Sequence, residues 1–294
     1  MRKNFLLPIY LVTLYLLPLN LNAQEINITG VLDWERMQFN SVITVDLQKA
    51  GIRLPAGRSQ AEALLEDEMP ELIRPFINEI QADSSSTVAD LINRGELSHA
   101  AFMEKVRRMP PSLTPDLSSI FAGYSVNLTG LSAELIRHSR PQTIFAPLIP
   151  GSTRNYTGII IIADEQLPVH GRSTSARVTP CLFPKIWDSD MNLVFERNMI
   201  DPAVGRARGL VRYISRDSIM RAAPSAMNDD LTRLVGDNPL RIMARGVFGA
   251  VPTDPVIDKD DALLVLSSEN NRRLLIEGRI AIVLDRSELS KTIP

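Results

Sequence analysis

From residue 26 onward the hydrophobic positions change period several times. Ile26 to Gly30 alternates apolar and polar residues, and Phe39 to Leu47 (FNSVITVDL) does so with many β-branched side chains; both predict strands. Gly51 to Gly57 holds Pro55 between two glycines and predicts a turn. From Ser59 the period lengthens. Ser59 with Glu62 fits a capping box, and Ala61, Leu64 and Leu65 share a helical face to about Glu68. Pro70 is expected to kink or restart that helix, whose pattern resumes at Leu72, Phe76, Ile77 and Ile80. After the polar loop Asp83–Ser86, Val88, Leu91 and Ile92 predict a short helix ended by Gly95. A further helix is expected over His99–Met109, a strand over Ile120–Leu128 and a short helix over Ser132–His138.

Ser139 to Thr153 carries three prolines and no regular period, and predicts a long connection between two regions, 24–145 and 146–294. The second region opens on Thr157–Ala163 (TGIIIIA), a continuous apolar run of the kind found in a strand buried on both faces. Leu182–Trp187 and Leu193–Glu196 predict a hairpin across a polar tip. Gly209–Ser215 predicts a strand. Leu240–Val247, Asp260–Ser267, Asn270–Ile276 and Arg279–Leu284 follow as strand, helix, helix, strand, and Thr253-Asp254-Pro255 predicts a turn. The fold class expected is α+β: strands plus helices in the N-terminal region, a mixed sheet with short helices in the C-terminal domain.

The first residues change the picture of location. Arg2 and Lys3 precede an apolar run from Phe5 to Leu19, and Asn20 to Ala23 ends it with polar and small residues. That order is the pattern of a cleavable secretory signal over residues 1–23. A retained transmembrane span is the alternative. The run is shorter than the roughly 18 apolar residues a span requires, and Pro8 and Pro18 interrupt it. The expected location is the bacterial periplasm. With no cysteine near the cut, a lipidated N-terminus is not expected. Without Arg2 and Lys3 the chain keeps 30 of its 32 basic residues against 34 acidic ones, a net charge of −4. No stretch is basic enough to predict nucleic-acid binding. Cys181, the one cysteine, cannot make an internal disulfide and is read as a small buried hydrophobe.

Candidate chemistry is sparse. The sequence has no Gly-x-Ser-x-Gly elbow, no phosphate loop and no Cys-x-x-Cys. His99, His138 and His170 stand far apart, outside any zinc-binding spacing, with His138 placed to suit a helix C-terminus. Asp188, Asp190 and Asn192 begin a calcium loop, but Leu193 and Met199 occupy its required glycine and acid positions, so a hairpin tip is the expectation. Asp258, Asp260 and Asp261 precede an apolar helix and are read as charges at its N-terminus. Trp34 and Trp187 are read as packing residues. The Asn-x-Thr triplets at Asn27, Asn127 and Asn155 carry no weight in a bacterial envelope. The expectation is no catalytic, cofactor-binding or metal-binding residue.

Several blocks of the second half resemble a known family. They are Tyr156–Ala163, Val178–Asp188 leading to Val194-Phe195, Gly209–Tyr213, Gly236–Leu240 with Ala244–Val247 and Thr253–Ile257, and Asp261-Ala262 through Arg279–Leu284. Their order is similar to the flagellar-associated envelope (lipo)proteins, FlgP-like and FlgT-like, over roughly residues 156–285. The resemblance implies a non-enzymatic protein that assembles with envelope or flagellar proteins, and it supplies no site residue. The chain departs from the family in lacking a lipid-modified cysteine. Three function classes stay open: a periplasmic structural or assembly protein, a small-molecule or envelope-polymer binding module, and an enzyme of unrecognised type. Self-association is compatible with the first.

Overall fold

The computed structural model describes residues 26–220 and 229–293; the expected signal at 1–23 lies outside the described residues. The fold is α+β, with strands and one long helix in the first region and mixed sheets with short helices in the second. Among the described residues no helix is long and apolar enough to cross a membrane.

The first sheet is antiparallel. Ile26–Asp33 pairs with Gln38–Asp46, which pairs with Ser119–Asn127. Alternation decides which face is covered. Phe39, Ser41, Ile43 and Val45 face inward opposite Val126, Tyr124, Ala122 and Ile120. The long helix Arg58–Asn78 lies across this face with Ala61, Leu65, Met69, Ile73, Phe76 and Ile77 buried, and the Phe39 and Phe76 rings stack at 5.7 Å.

The expected capping box is absent. Gly57 occupies the N-cap and no side chain caps the helix, while Glu62 instead accepts from Arg58 Nε at 2.9 Å. The Leu47–Gly57 turn starts the helix early, through Gly57 N–H to Arg53 O and Ala61 N–H to Gly57 O. The helix does not restart at Pro70; Pro70 and Pro75 both lie inside it, outside its buried stripe. Each proline leaves one carbonyl of the preceding turn unbonded, and placing that loss on the outer face leaves the packed stripe continuous.

Two other helices differ from expectation. His99–Met109 shortens to His99–Met103, because Arg107–Arg108 pairs with the Ser119–Asn127 strand instead. The predicted Ser132–His138 helix runs from Leu128 to Leu135, capped by the Asn127 side chain accepting from Thr129 N–H. The short helix Val88–Asn93 has a capping box of its own, formed by Thr87 and Asp90, and the hydrogen bonds from Thr87 hold the Asp90 carboxyl below its ordinary pKa.

The second region holds a four-stranded parallel sheet in the order Arg212–Ser215, Ile280–Leu284, Ile159–Ile162, Leu240–Met243. The isoleucine run is an interior strand, as its composition predicts. Ile159 and Ile161 join the main core, while Ile160 faces a second cluster with Ile214, Leu231, Val235, Ala281 and Val283. The helix Asp229–Val235 covers that second face at very short range. A Cβ on Gly158 would fall 2.4 Å from Val235 Cα, so only glycine fits there.

A smaller mixed sheet runs Leu193–Phe195, Ile186–Asp188, Asp254–Ile257, Gly246–Phe248. It overturns two expectations. Leu240–Val247 is two strands in two sheets: Ala244 N–H continues the first ladder to Ile162 O, and Arg245 N–H opens the second to Val256 O. The turn expected at Thr253-Asp254-Pro255 is instead the entry of a fully buried strand, with Asp254 inaccessible to solvent.

The two regions interlock. Ser290–Ile293, at the end of the described chain, pairs with Ile26–Asp33 in the first sheet. The loop after the long helix docks on the second region through Leu182 N–H to Gln81 O, Phe183 N–H to Ala82 O and Val251 N–H to Ser84 O. Trp34 packs edge-on against Tyr213 at 5.9 Å, and one apolar cluster runs through both regions. Both tryptophans are packing residues, Trp34 in the core and Trp187 against Phe248 at 5.6 Å.

Candidate functional site

Two features of the surface stand apart from ordinary packing: a cleft at the junction of the two regions and the connection between them. The cleft has a volume of about 390 Å³. Arg36, just after the first strand, and Asn127 and Thr129 reach it from the first region; Arg208, Arg212 and Arg233 reach it from the second. Met37, Val211 and Leu234 supply apolar wall. Against the four arginines stands one carboxylate among the described residues, Asp230, paired with Arg233 at 3.7 Å. Arg208 donates to Glu277 O at 2.8 Å and Arg36 pairs with Asp33 at 3.7 Å, whereas no hydrogen bond or ion pair of the Arg212 guanidinium is found among the described residues. Gly209 lines the cleft at φ +77°, a backbone conformation that favours glycine, and a Cβ there would make only ordinary contact with Met37 Cε at 3.9 Å and Thr129 Cγ2 at 4.0 Å.

The connection carries no helix or strand between 136 and 158. It is fastened at two places, by Gln142 N–H to Asn198 O at 2.7 Å, and by Gly151 N–H to Ser267 Oγ at 2.8 Å with Thr153 Oγ1 to Leu264 O at 2.9 Å. Between these points it forms a strap. Ile144 packs against the core, while Phe145, Leu148 and Ile149 are 78%, 103% and 85% exposed. Single exposed apolar residues are ordinary on any surface, but three large ones within five positions on a fastened segment are not.

The residues weighed for chemistry do not converge. Asp188 is buried at the hairpin tip, and its carboxylate accepts from Asp190 N–H, Asn192 N–H and Asn192 Nδ2, the bonds of a side-chain-closed turn. Asp258 caps the helix Lys259–Leu266 by accepting from Asp260 N–H; burial, and then the charge of Asp258, push the Asp261 carboxyl up. Cys181 is buried, and burial pushes its thiol far up, away from the reactive thiolate. The three histidines lie in separate places. His138 bonds Ile200 O through Nε2 at 2.9 Å, His170 is exposed beside Phe248, and His99 sits against the long helix near Arg74. Among the described residues no group of three or more histidine, cysteine or carboxylate side chains is placed to hold a metal.

His99 has a consequence for pH. Neither ring nitrogen has a partner, and Arg74 Nε, on the long helix beside it, is also buried without one. Burial first, then the Arg74 charge, hold its pKa below the ordinary 6.5, against a smaller upward pull from Glu71. The folded protein therefore prefers the neutral ring, and the unfolded chain binds its proton first. Stability from this residue is present above about pH 6.5 and falls as pH drops below it, down to the folded-state pKa. Urea melts at pH 8 and pH 5.5 are expected to show this fall in the parent and a smaller one in His99→Gln.

Sequence reasoning missed the cleft and Asp254. The four arginines come from positions 36, 208, 212 and 233, a spacing that carries no local signal.

With this geometry in place, comparison with known proteins adds a family. Residues 25–134 match the family model of the Treponema pallidum Tp0624 N-terminal domain, and residues 158–286 match that of the Tp0624 second domain. The matches indicate a bacterial family of the spirochaete type. Together they take in both structured regions in the same order, and the strap falls in the interval between them. No curated protein matches the chain.

Proposed function

We propose that this protein is a non-enzymatic structural or assembly component of the bacterial periplasm that works by binding other envelope proteins, with association to the flagellar basal body as the more specific form of the reading. The observation that carries it is the strap, whose Phe145, Leu148 and Ile149 are held out to solvent between two fastened points. Exposed apolar side chains on a segment already ordered lose little further conformational entropy when a partner covers them. Support also comes from the separation of the three histidines and from the turn and capping roles of Asp188 and Asp258.

The test is a triple variant, Phe145→Ser, Leu148→Ser and Ile149→Ser. Its melting temperature is expected to match the parent, because the three side chains are outside the core. Envelope proteins that crosslink to the parent in cells are expected to be lost, and the variant is expected to reproduce the deletion phenotype. A triple variant that fully restores the cellular role would overturn the reading.

The alternative, a small-molecule or envelope-polymer binding module, is favoured by one observation: the cleft with four arginines and one carboxylate on a chain of net charge −2.

A further inference from the structure

We propose that the cleft between the two regions is a binding site for a phosphate ester, with Arg212 as its principal anchor and Met37, Val211 and Leu234 receiving the ester's apolar part. The inference rests on the binding-module reading and is independent of the strap.

The charge comes first. Arg36, Arg208, Arg212 and Arg233 line one cavity, and among the described residues Asp230 is the one carboxylate in its lining. Asp230 meets Arg233 at 3.7 Å in an exposed pair of the same kind as Arg36 with Asp33, so the described cavity lining keeps four arginines against one carboxylate. Arg36 meets Asp33 at the solvent-exposed edge, at a distance that permits exchange for a better acceptor. Arg208 has one guanidinium nitrogen on Glu277 O, which fixes the side chain and leaves its other donors free. Arg212 is partly buried and its guanidinium has no partner among the described residues. A second cavity of about 350 Å³ shares Arg36, Arg212 and Asp230. Its other carboxylate, Glu35, accepts from Ser218 Oγ at 2.6 Å and Ser215 N–H at 3.3 Å and makes no ion pair with Arg212 among the described residues.

The shape comes next. A guanidinium presents a planar fork of donors that matches the oxygens of a phosphate or carboxylate. Several forks facing one space favour an anion with two charges and at least three acceptor oxygens, which a phosphate monoester has and a single carboxylate lacks. The apolar wall selects an ester over inorganic phosphate. The volume, about 390 Å³, is that of a small-ligand pocket. Gly209 keeps a side chain out of this space.

The test measures calorimetric binding of inorganic phosphate and of butyl phosphate to the full chain, at low and moderate salt. Butyl phosphate is expected to bind several-fold more tightly than inorganic phosphate, and both are expected to weaken as salt rises. Arg212→Gln is expected to weaken butyl phosphate at least about tenfold. Arg36→Gln, at an exposed position that the fold does not need, is expected to weaken it less, and Arg172→Gln, outside the cleft, to leave it unchanged. Sedimentation with vesicles containing phosphatidic acid, whose headgroup is a phosphate monoester, lost in Arg212→Gln, would identify a lipid headgroup as the natural source. No sedimentation beside intact butyl phosphate binding would identify a free phosphate ester. Absence of saturable binding, or equal binding by the parent, Arg36→Gln and Arg212→Gln, overturns the proposal. None of these results touches the strap variant, so the cleft and the assembly reading fail separately.

Discussion

Asp254→Ala is expected to lose about 3–5 kcal/mol of stability, a large part of what a domain of ordinary stability has. The Asp254 side chain is inaccessible to solvent, and three donors converge on it: Thr253 Oγ1 at 2.8 Å, Lys185 N–H at 3.2 Å and Trp187 Nε1–H at 3.4 Å. Ser84, from the docking loop of the first region, also bonds it. Alanine would leave these donors buried without an acceptor, at roughly 1–3 kcal/mol each before relaxation. Burial raises the Asp254 pKa above its ordinary value, against the downward pull of the hydrogen bonds, so the charged form carries a desolvation cost. Asp254→Asn keeps an acceptor without that cost and is expected to lose only about 1–2 kcal/mol. Urea melts of the two variants check the pair. An alanine variant within 1 kcal/mol of the parent would show that the network contributes little.

Ile160→Asp is expected to abolish folding of the second region. Ile160 is interior in the parallel sheet, buried with Leu231 and Val235 on the helix side, and pairs with Ala281 and Arg241 on the flanking strands. Its side chain has no polar group to meet among the residues of that cluster. An unpaired carboxylate there costs several kcal/mol even if it protonates, comparable with the whole stability of a domain. Ile160→Val removes one methylene and is expected to cost only about 0.5–1.5 kcal/mol. Soluble yield and urea melts measure both. An aspartate variant as stable as the parent would contradict the buried placement of this strand.

These two positions mark what was legible in the sequence. The isoleucine run announced an interior strand because a continuous apolar stretch satisfies a parallel sheet covered on both sides and little else. The Ile26–Asp33, Gln38–Asp46 and Ser119–Asn127 strands followed from period two. Asp254 was not legible: Thr-Asp-Pro is turn chemistry locally, and only the donors from Lys185, Trp187 and Ser84 make a strand entry of it. Leu240–Val247 failed for a related reason. Its pattern is right for a strand, but nothing local says that Ala244 and Arg245 bond to different sheets. Arg107–Arg108 left a predicted helix for the edge of a sheet whose partner lies later in the chain. The cleft depends on four arginines brought together by tertiary structure alone, and the strap's exposed face depends on where Gln142 and Gly151 are fastened.

Whether the strap meets a partner in the cell decides the assembly role most directly. A photoreactive amino acid placed at Leu148, and as control at the exposed Leu117 of the first region, would be activated in living cells and the adducts resolved by mass. A discrete adduct between position 148 and an envelope protein, absent from position 117, is the expected result. No adduct from position 148, or the same products from both positions, would contradict it.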